Sequence, residues 1–338
     1  MATYKFYWFL GLLNAHVSKG LKCVKATDLA AHMVAMAWEA VLVHRLSFGC
    51  YDQIPDIARW LVGTGRLEPT LPEEKIAERL STLATTDPEV RERLTSLLKN
   101  VPFRFLSPWF PKATDAAVVT HSQDFCNGCL YSITGRGDDM AIGINPAWTD
   151  YLTANYAVLR DFAMWNLAAF VQLRNPNVPN IPAKLVRQHE RSSLTPQRNF
   201  WKAIMASGED VKCIYTGKSL TPADFDLDHF IPWSFVCHDQ LWNLIPADPS
   251  INSSKCDRLP DLDTYLPSLA RTHKSAVTQW LASNKYVKLL DDYAFMGLAP
   301  NAIPAMGDVQ IVDCFRKTFA PMAQIAANMG FEQWVRTL

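Results

Sequence analysis

The chain has 338 residues, 49% hydrophobic and 20% charged, which exceeds one typical domain and leaves little room for disorder. Its 33 Lys+Arg balance 33 Asp+Glu, which excludes a protein that coats nucleic acid by bulk positive charge, so any polyanion contact must be local. Eight scattered cysteines do not make a disulfide framework and read as the reduced thiols of a cytoplasmic protein.

The opening run FYWFLGLL is apolar but too short to span a bilayer, and no Ala-x-Ala cleavage site follows it, so it reads as a buried first helix with no membrane partner. ATDLAAHMVAMAWEAVLVHRLSF is a run of strong helix formers with Thr27 or Asp28 as N-cap. LPEEKIAERLSTLA and DPEVRERLTSLLKN continue the helical region, the second with Asp87 as cap and Pro88 in the first turn. Residues 101–144 are rich in Pro, Gly and aromatics and predict loops with a short hairpin. From Asn145-Pro146 a long helix is predicted, its buried face drawn by Trp148, Leu152, Tyr156, Leu159, Ala163, Leu167 and Phe170. It ends before RNPNVPNIP, whose prolines forbid a continued helix and mark a domain boundary. The expected fold is mainly α with a small α+β unit: a helical region over 1–180, a compact motif region over 181–262 and a helical segment over 263–338.

The chemistry concentrates in DFDLDHFIPWSFVCHDQLWNLIPADPSINSSKCDRLP, residues 224–260. VKCIYTGKSL reads as a strand and a Thr216-Gly217 turn, DFDLDHFIPWSF as a second strand and NLIPAD as a third short apolar piece. DPSINSSKCD starts a helix, with Asp248 as N-cap and Asn252 and Lys255 three apart on one face. This set suits phosphodiester hydrolysis. Asp228 and Asn252 offer hard oxygen donors for Mg²⁺ or Mn²⁺. His229 offers an imidazole, the side chain suited to taking the proton of an attacking water at neutral pH. Lys255, placed at a helix N-terminus, brings a positive charge beside a phosphate. Asn243 is suited to hold the long loop and fix His229. Strict alternation along a strand would set Asp226 and Asp228 on one side and His229 on the other, leaving Asp226 as a spare carboxylate unless the strand bends.

CIYTG, DLDHFIPWSF, NLIPAD and INSSKCDRLP together resemble the HNH endonuclease family, in its ββα-metal form. Thirteen residues separate His229 from Asn243 and eight separate Asn243 from Asn252, an order and spacing similar to the HNH domains of RNA-guided CRISPR nucleases. The resemblance implies His229 as general base, Asp228 and Asn252 as metal ligands and Asn243 as the loop-holding residue. It spans about 50 residues. Many HNH domains carry two CxxC pairs for structural zinc; here Thr216 and PADPS stand in their places, so no structural zinc is expected, and Tyr215, Phe230, Trp233 and Trp242 are expected to pack the hairpin instead.

The resemblance implies a metal-dependent endonuclease acting on DNA, leaving 5′-phosphate and 3′-hydroxyl ends. A helical module beside an HNH domain resembles the gated effectors of bacterial anti-phage or restriction systems, with a second copy or a partner protein bound through that module. The rivals are a nickase, an RNA or single-strand nuclease, and a non-catalytic nucleic-acid-binding assembly module. Elsewhere, Cys126-x-x-Cys129 with His121 reads as ordinary thiols rather than half a zinc site, and Cys237-His238 as loop residues. His16, His32 and His44 read as structural histidines. Lys184, Arg187, Arg191, Arg198, Lys202, Lys212 and Lys218 outnumber Glu190, Glu209 and Asp210 just before and within the motif, which suits either a solvated linker or a lane for the phosphate backbone.

Overall fold

The structure, a computed structural model, describes residues 2–186, 193–283 and 288–335. It is mainly helical with a small α+β unit, and the chain divides into two compact units. No described helix is long and apolar enough to cross a membrane.

The first unit comprises the described residues up to Pro176 together with 181–186. Its helices are α1 (Tyr4–Leu13), α2 (Ala26–Leu42), α3 (Ile54–Gly63), α4 (Glu73–Thr86), α5 (Pro88–Leu97), α6 (Val101–Phe105), α7 (Asp115–Gln123), α8 (Thr149–Ala154), α9 (Tyr156–Gln172) and α10 (Ile181–Leu185). The FYWFLGLL run is indeed a buried helix, and α2, buried along most of its length, packs against α1, α3, α4, α5 and α10. Burial of these apolar faces, rather than intrinsic propensity, holds such helices in place. β1 (Cys23–Lys25), β2 (Tyr131–Thr134) and β3 (Ala141–Ile144) form an antiparallel sheet in the order β1-β3-β2. The buried Trp8 Nε1 donates to Tyr131 Oη at 3.2 Å, and that hydroxyl donates to the Pro102 carbonyl at 2.6 Å, tying α1 to the sheet and α6.

Three local expectations need correction. α2 begins at Ala26, directly after β1, with Lys25 at the cap position, so neither Thr27 nor Asp28 caps it. Residues 101–144 hold α6 and α7 as well as the expected hairpin β2–β3. The long helix is two: α8 ends at Asn155, whose side-chain amide donates to the Tyr151 carbonyl at 2.9 Å and competes with the backbone ladder. Of the buried stripe expected there, Leu152, Ala163 and Leu167 lie in the core, while Trp148, Tyr156, Leu159 and Phe170 are only half-buried, Phe170 against Phe6. Asp87 caps α5 as expected, accepting from the amides of Glu89 and Val90.

The second unit comprises residues 177–180 and the described residues from 193 onward. It contains α11 (Thr195–Ala206), β4 (Asp226–His229), α12 (Trp233–Val236), β5 (Leu244–Ala247), α13 (Pro249–Lys255), α14 (Leu262–Ala282) and α15 (Asp308–Asn328). β4 and β5 pair antiparallel, α13 lies against β4, and α14 and α15 pack on each other. Phe319 on α15 sets its ring edge-on to Phe230 and Trp242, each at 5.3 Å. Tyr265 and Trp334 flank Tyr215 in the same edge-on manner. Of the aromatic residues expected to support the hairpin, Tyr215, Phe230 and Trp242 therefore find partners on α14, α15 and the segment beyond.

Candidate active site

The site is built on the β4–β5 hairpin. Ahead of it, residues 212–219 form a tight turn joined by one bridge, Lys212 to Ser219, in place of the short strand expected before the Thr216-Gly217 turn. Gly217 N–H donates to the Cys213 carbonyl at 2.8 Å, and Gly217 takes a φ of +74°, a left-handed conformation that favours glycine. The turn presents Tyr215 inward. In the hairpin proper, Asp226 pairs with Ala247, Asp228 with Ile245 and His229 with Leu244.

Asn243 is fully buried and does what a loop-holding residue must. Its Oδ1 accepts from the Ile231 amide at 2.9 Å and its Nδ2 donates to the Ile231 carbonyl at 2.9 Å. Its own carbonyl accepts from the Phe230 amide at 2.8 Å. The chain is thus pinned immediately after His229. The loop between is held at three more points. Asn180 Nδ2 donates to the Cys237 carbonyl at 2.7 Å, Gln197 Nε2 to the Asp239 carbonyl at 2.8 Å, and the Leu241 amide to Asp292 at 2.7 Å.

The functional side chains fall into two groups on β4. On one side lies a buried trio. Lys255 Nζ donates to Asp228 Oδ1 at 2.9 Å and to the His229 carbonyl at 2.8 Å, with the lysine side chain 0% and the aspartate side chain 3% exposed. Tyr215 Oη donates to Asp228 Oδ2 at 2.5 Å. Burial, reinforced by the Asp228 carboxylate, pushes the Tyr215 hydroxyl well above its ordinary range, so it remains a donor. Beside the trio, Asn252 Nδ2 donates to Asp226 Oδ2 at 3.4 Å, and Arg198 Nη2 stands 3.7 Å from Asp226 Oδ1. Arg198 is anchored by a 2.8 Å bond from Nη1 to the Phe225 carbonyl. The His229 imidazole belongs to the second group: Nε2 pairs with Asp239 Oδ1 at 2.9 Å.

The structure therefore joins Asp228 with Lys255 and Asp226 with Asn252, while the side chains of Asp228 and His229 take separate partners. Lys255 ends α13 instead of starting it, because Cys256 turns to a φ of +50°. Its ammonium is buried between a carboxylate and a carbonyl, not displayed at a helix N-terminus. Asp248 does cap α13, accepting from the Ser250 amide at 3.0 Å. Asp239 and Tyr215 are the residues whose roles sequence reading missed. Asp239 sits ten positions past His229 in irregular backbone, where no periodicity marks it.

As a metal fit, the donors are hard oxygens of the right type. The Asp226 carboxylate is 40% exposed and the Asn252 amide is beside it. Asp228 already accepts one bond on each carboxylate oxygen, so a cation reaching it would share those oxygens or displace Lys255. No group of three or more His, Cys, Asp and Glu suited to a metal occurs among the described residues. At the other sequence motifs, the buried Cys129 Sγ donates to the Tyr131 carbonyl, and His121 stacks on Phe110. Of the basic residues, Lys184 is buried, Lys202 is exposed, Lys212 pairs with Asp210 and Lys218 with Asp248. Arg187, Glu190 and Arg191 lie outside the described residues.

A short antiparallel hairpin followed by a helix, with a histidine, two asparagines, two aspartates and a lysine gathered on it, is a ββα unit of the kind that supports nuclease chemistry. Residues 213–261 match the family model described as HNH endonuclease, so this segment is similar to that family. An HNH-type segment suggests a nuclease, and a nuclease implies a nucleic-acid substrate. Neither the curated proteins nor the solved structures give a match to the chain.

Proposed function

We propose that the chain is a metal-dependent endonuclease hydrolysing DNA phosphodiester bonds to 5′-phosphate and 3′-hydroxyl ends. The observation that carries this reading is the pairing of His229 with Asp239, on the same short strand whose Asp226 and Asp228 meet Asn252 and Lys255. Asp239 engages Nε2 and leaves Nδ1 as the nitrogen to take the proton of a water as it attacks phosphorus. Asn243 fixes the backbone on which His229 is mounted. Asn252, with Asp228 and Asp226, would hold a Mg²⁺ or Mn²⁺ ion, whose chemistry is to stabilise charge on the phosphoryl and leaving oxygens. Arg198, at the exposed edge beside Asp226, suits a phosphate, whereas Lys255 is buried against Asp228 and holds that carboxylate in place.

The first unit contains no part of this constellation, and we assign it a gating or assembly role, in keeping with an effector of an anti-phage or restriction system. A non-catalytic binding module is the alternative. Purified protein incubated with supercoiled plasmid and Mg²⁺, Mn²⁺ or EDTA decides between them. Cleavage that needs the metal and is lost in His229→Ala supports the nuclease, with a rate loss on the order of 10²–10⁴. DNA binding with equal, undetectable cleavage by both proteins in every metal supports the module.

A further inference from the structure

The buried stripe of α9 has a second, outward counterpart. Val158, Phe162, Trp165 and Leu173 are 70%, 68%, 73% and 79% exposed, Ala169 is exposed with them, and Tyr151 on α8 adds a ring at 51%. Along α9 and its cap the positions advance by four, three, four and four residues, so they form one continuous face. Such a face on a helix is costly to leave in water and marks an interaction surface.

We infer that this face is the dimer interface of the chain, closed by a second copy packing its own α9 antiparallel across a two-fold axis. Three features select a second copy as occupant. The first is area. With aromatic side chains carrying about 150–250 Å² each, the face offers on the order of 600 Å², close to the roughly 800 Å² each partner gives to a standard interface. The second is shape. A two-fold passing between Trp165 and Asn166 sets Phe162 of one copy opposite Ala169 of the other, large against small, and Val158 opposite Leu173. The two Trp165 rings then meet at the centre, where aromatic anchors contribute most. The third is charge. The only charged residues of α9, Arg160 and Asp161, already pair with each other at 2.8 Å, so the face brings no unmatched charge that would call for a complementary partner.

Sedimentation velocity on the full chain, from about 1 to 100 µM, tests this. The expected species is twice the 38.1 kDa chain mass. Trp165→Glu, a change at an exposed position that should leave the circular dichroism spectrum unaltered, is expected to weaken association by roughly 30-fold or more. Phe162→Glu and Ala169→Lys are each expected to be monomeric alone and to form a dimer when mixed, because antiparallel pairing brings the new charges together. A wild-type chain that stays monomeric overturns the inference, including the case in which the face serves a different protein. So does a dimer indifferent to Trp165→Glu, and failure of the mixture to associate overturns the antiparallel pairing. None of these readings uses cleavage, so they stand or fall apart from the nuclease assignment.

Discussion

If His229 is the general base proposed above, its side chain needs a defined orientation to act on a water, and Asp239, paired with Nε2 at 2.9 Å, is placed to supply it. Asp239→Asn keeps the size and removes the charge, so its cost is expected to fall within the ~10²–10⁴ that a general base contributes. A positioning role has a sharper signature. In a His229→Ala background Asp239→Asn should cost nothing further, whereas two independent contributions would multiply. Single-turnover cleavage by the four proteins gives the answer, and full additivity would sink the dyad. Lys255 poses the opposite problem, a buried cation whose loss strands a buried carboxylate. Lys255→Met is expected to destabilise the second unit by about 3–5 kcal/mol, and adding Asp228→Asn to recover part of it. If Asp228 also takes the metal, Mg²⁺ should raise the urea midpoint of Lys255→Met and EDTA should abolish the gain. Unchanged stability in the single variant would show that the pair is not a closed buried ion pair. The gathering of His229, Asn243 and Asn252 around one hairpin and its helix was legible because residue type and spacing carry it. Partners such as Asp239 and Tyr215 were not, because irregular backbone, not a repeat, brings them to the site.

At the scale of elements, the second unit works as a hairpin clamped by helices. Phe319 is fully buried and touches the rings of Phe230, Trp242 and Phe315. Phe319→Ala is therefore expected to cost about 3–5 kcal/mol in urea unfolding, with loosened loop geometry reducing cleavage as well. On α14, burial alone pushes His273 down to about 3, where Trp201, Tyr293 and Phe315 surround its ring. In the unfolded chain the same imidazole takes its proton near ~6.5. The stabilising difference is present above that value and is lost as pH falls toward 3, because the unfolded state then binds the extra proton. At about 1.4 kcal/mol per pH unit, stability should drop by roughly 2 kcal/mol between pH 6.5 and pH 5. His32, pushed to about 4 by burial and Lys19, acts in the same direction in the first unit. Urea titrations of wild type and His273→Gln across that range isolate the α14 share, and parallel pH slopes would refute it. α5 was legible because its helix formers and its Asp87 cap agree locally, and α1 because its apolar run is buried as a helix. β1 was not: three residues beside a strand 116 positions away pair by long-range register, which no window of sequence displays.

The whole molecule carries no net charge, and its basic residues near the site are partly spent on internal partners. Counterion release therefore gives it little grip on bulk duplex, and filter binding at ~150 mM salt is expected to show weak, sequence-independent affinity. Tight binding under those conditions would contradict a gated enzyme. Strand number follows from the same count of parts. If His229 is the general base, one HNH segment supplies one base and breaks one strand per encounter, so a lone chain should convert supercoiled plasmid to open circles before linear molecules appear. A dimer through α9 changes the order of the reaction rather than its chemistry. If the two centres reach opposite strands, linear product should form directly at concentrations where the dimer is populated, and its share of total product should rise with protein concentration. Trp165→Glu should then return the enzyme to nicking while leaving the rate of first-strand cleavage per chain unchanged, since that residue lies on α9 and β4 carries the base. Agarose separation of the two products across an enzyme dilution series distinguishes the cases: a linear fraction independent of both dilution and Trp165→Glu would assign double-strand cutting to successive nicks by single chains.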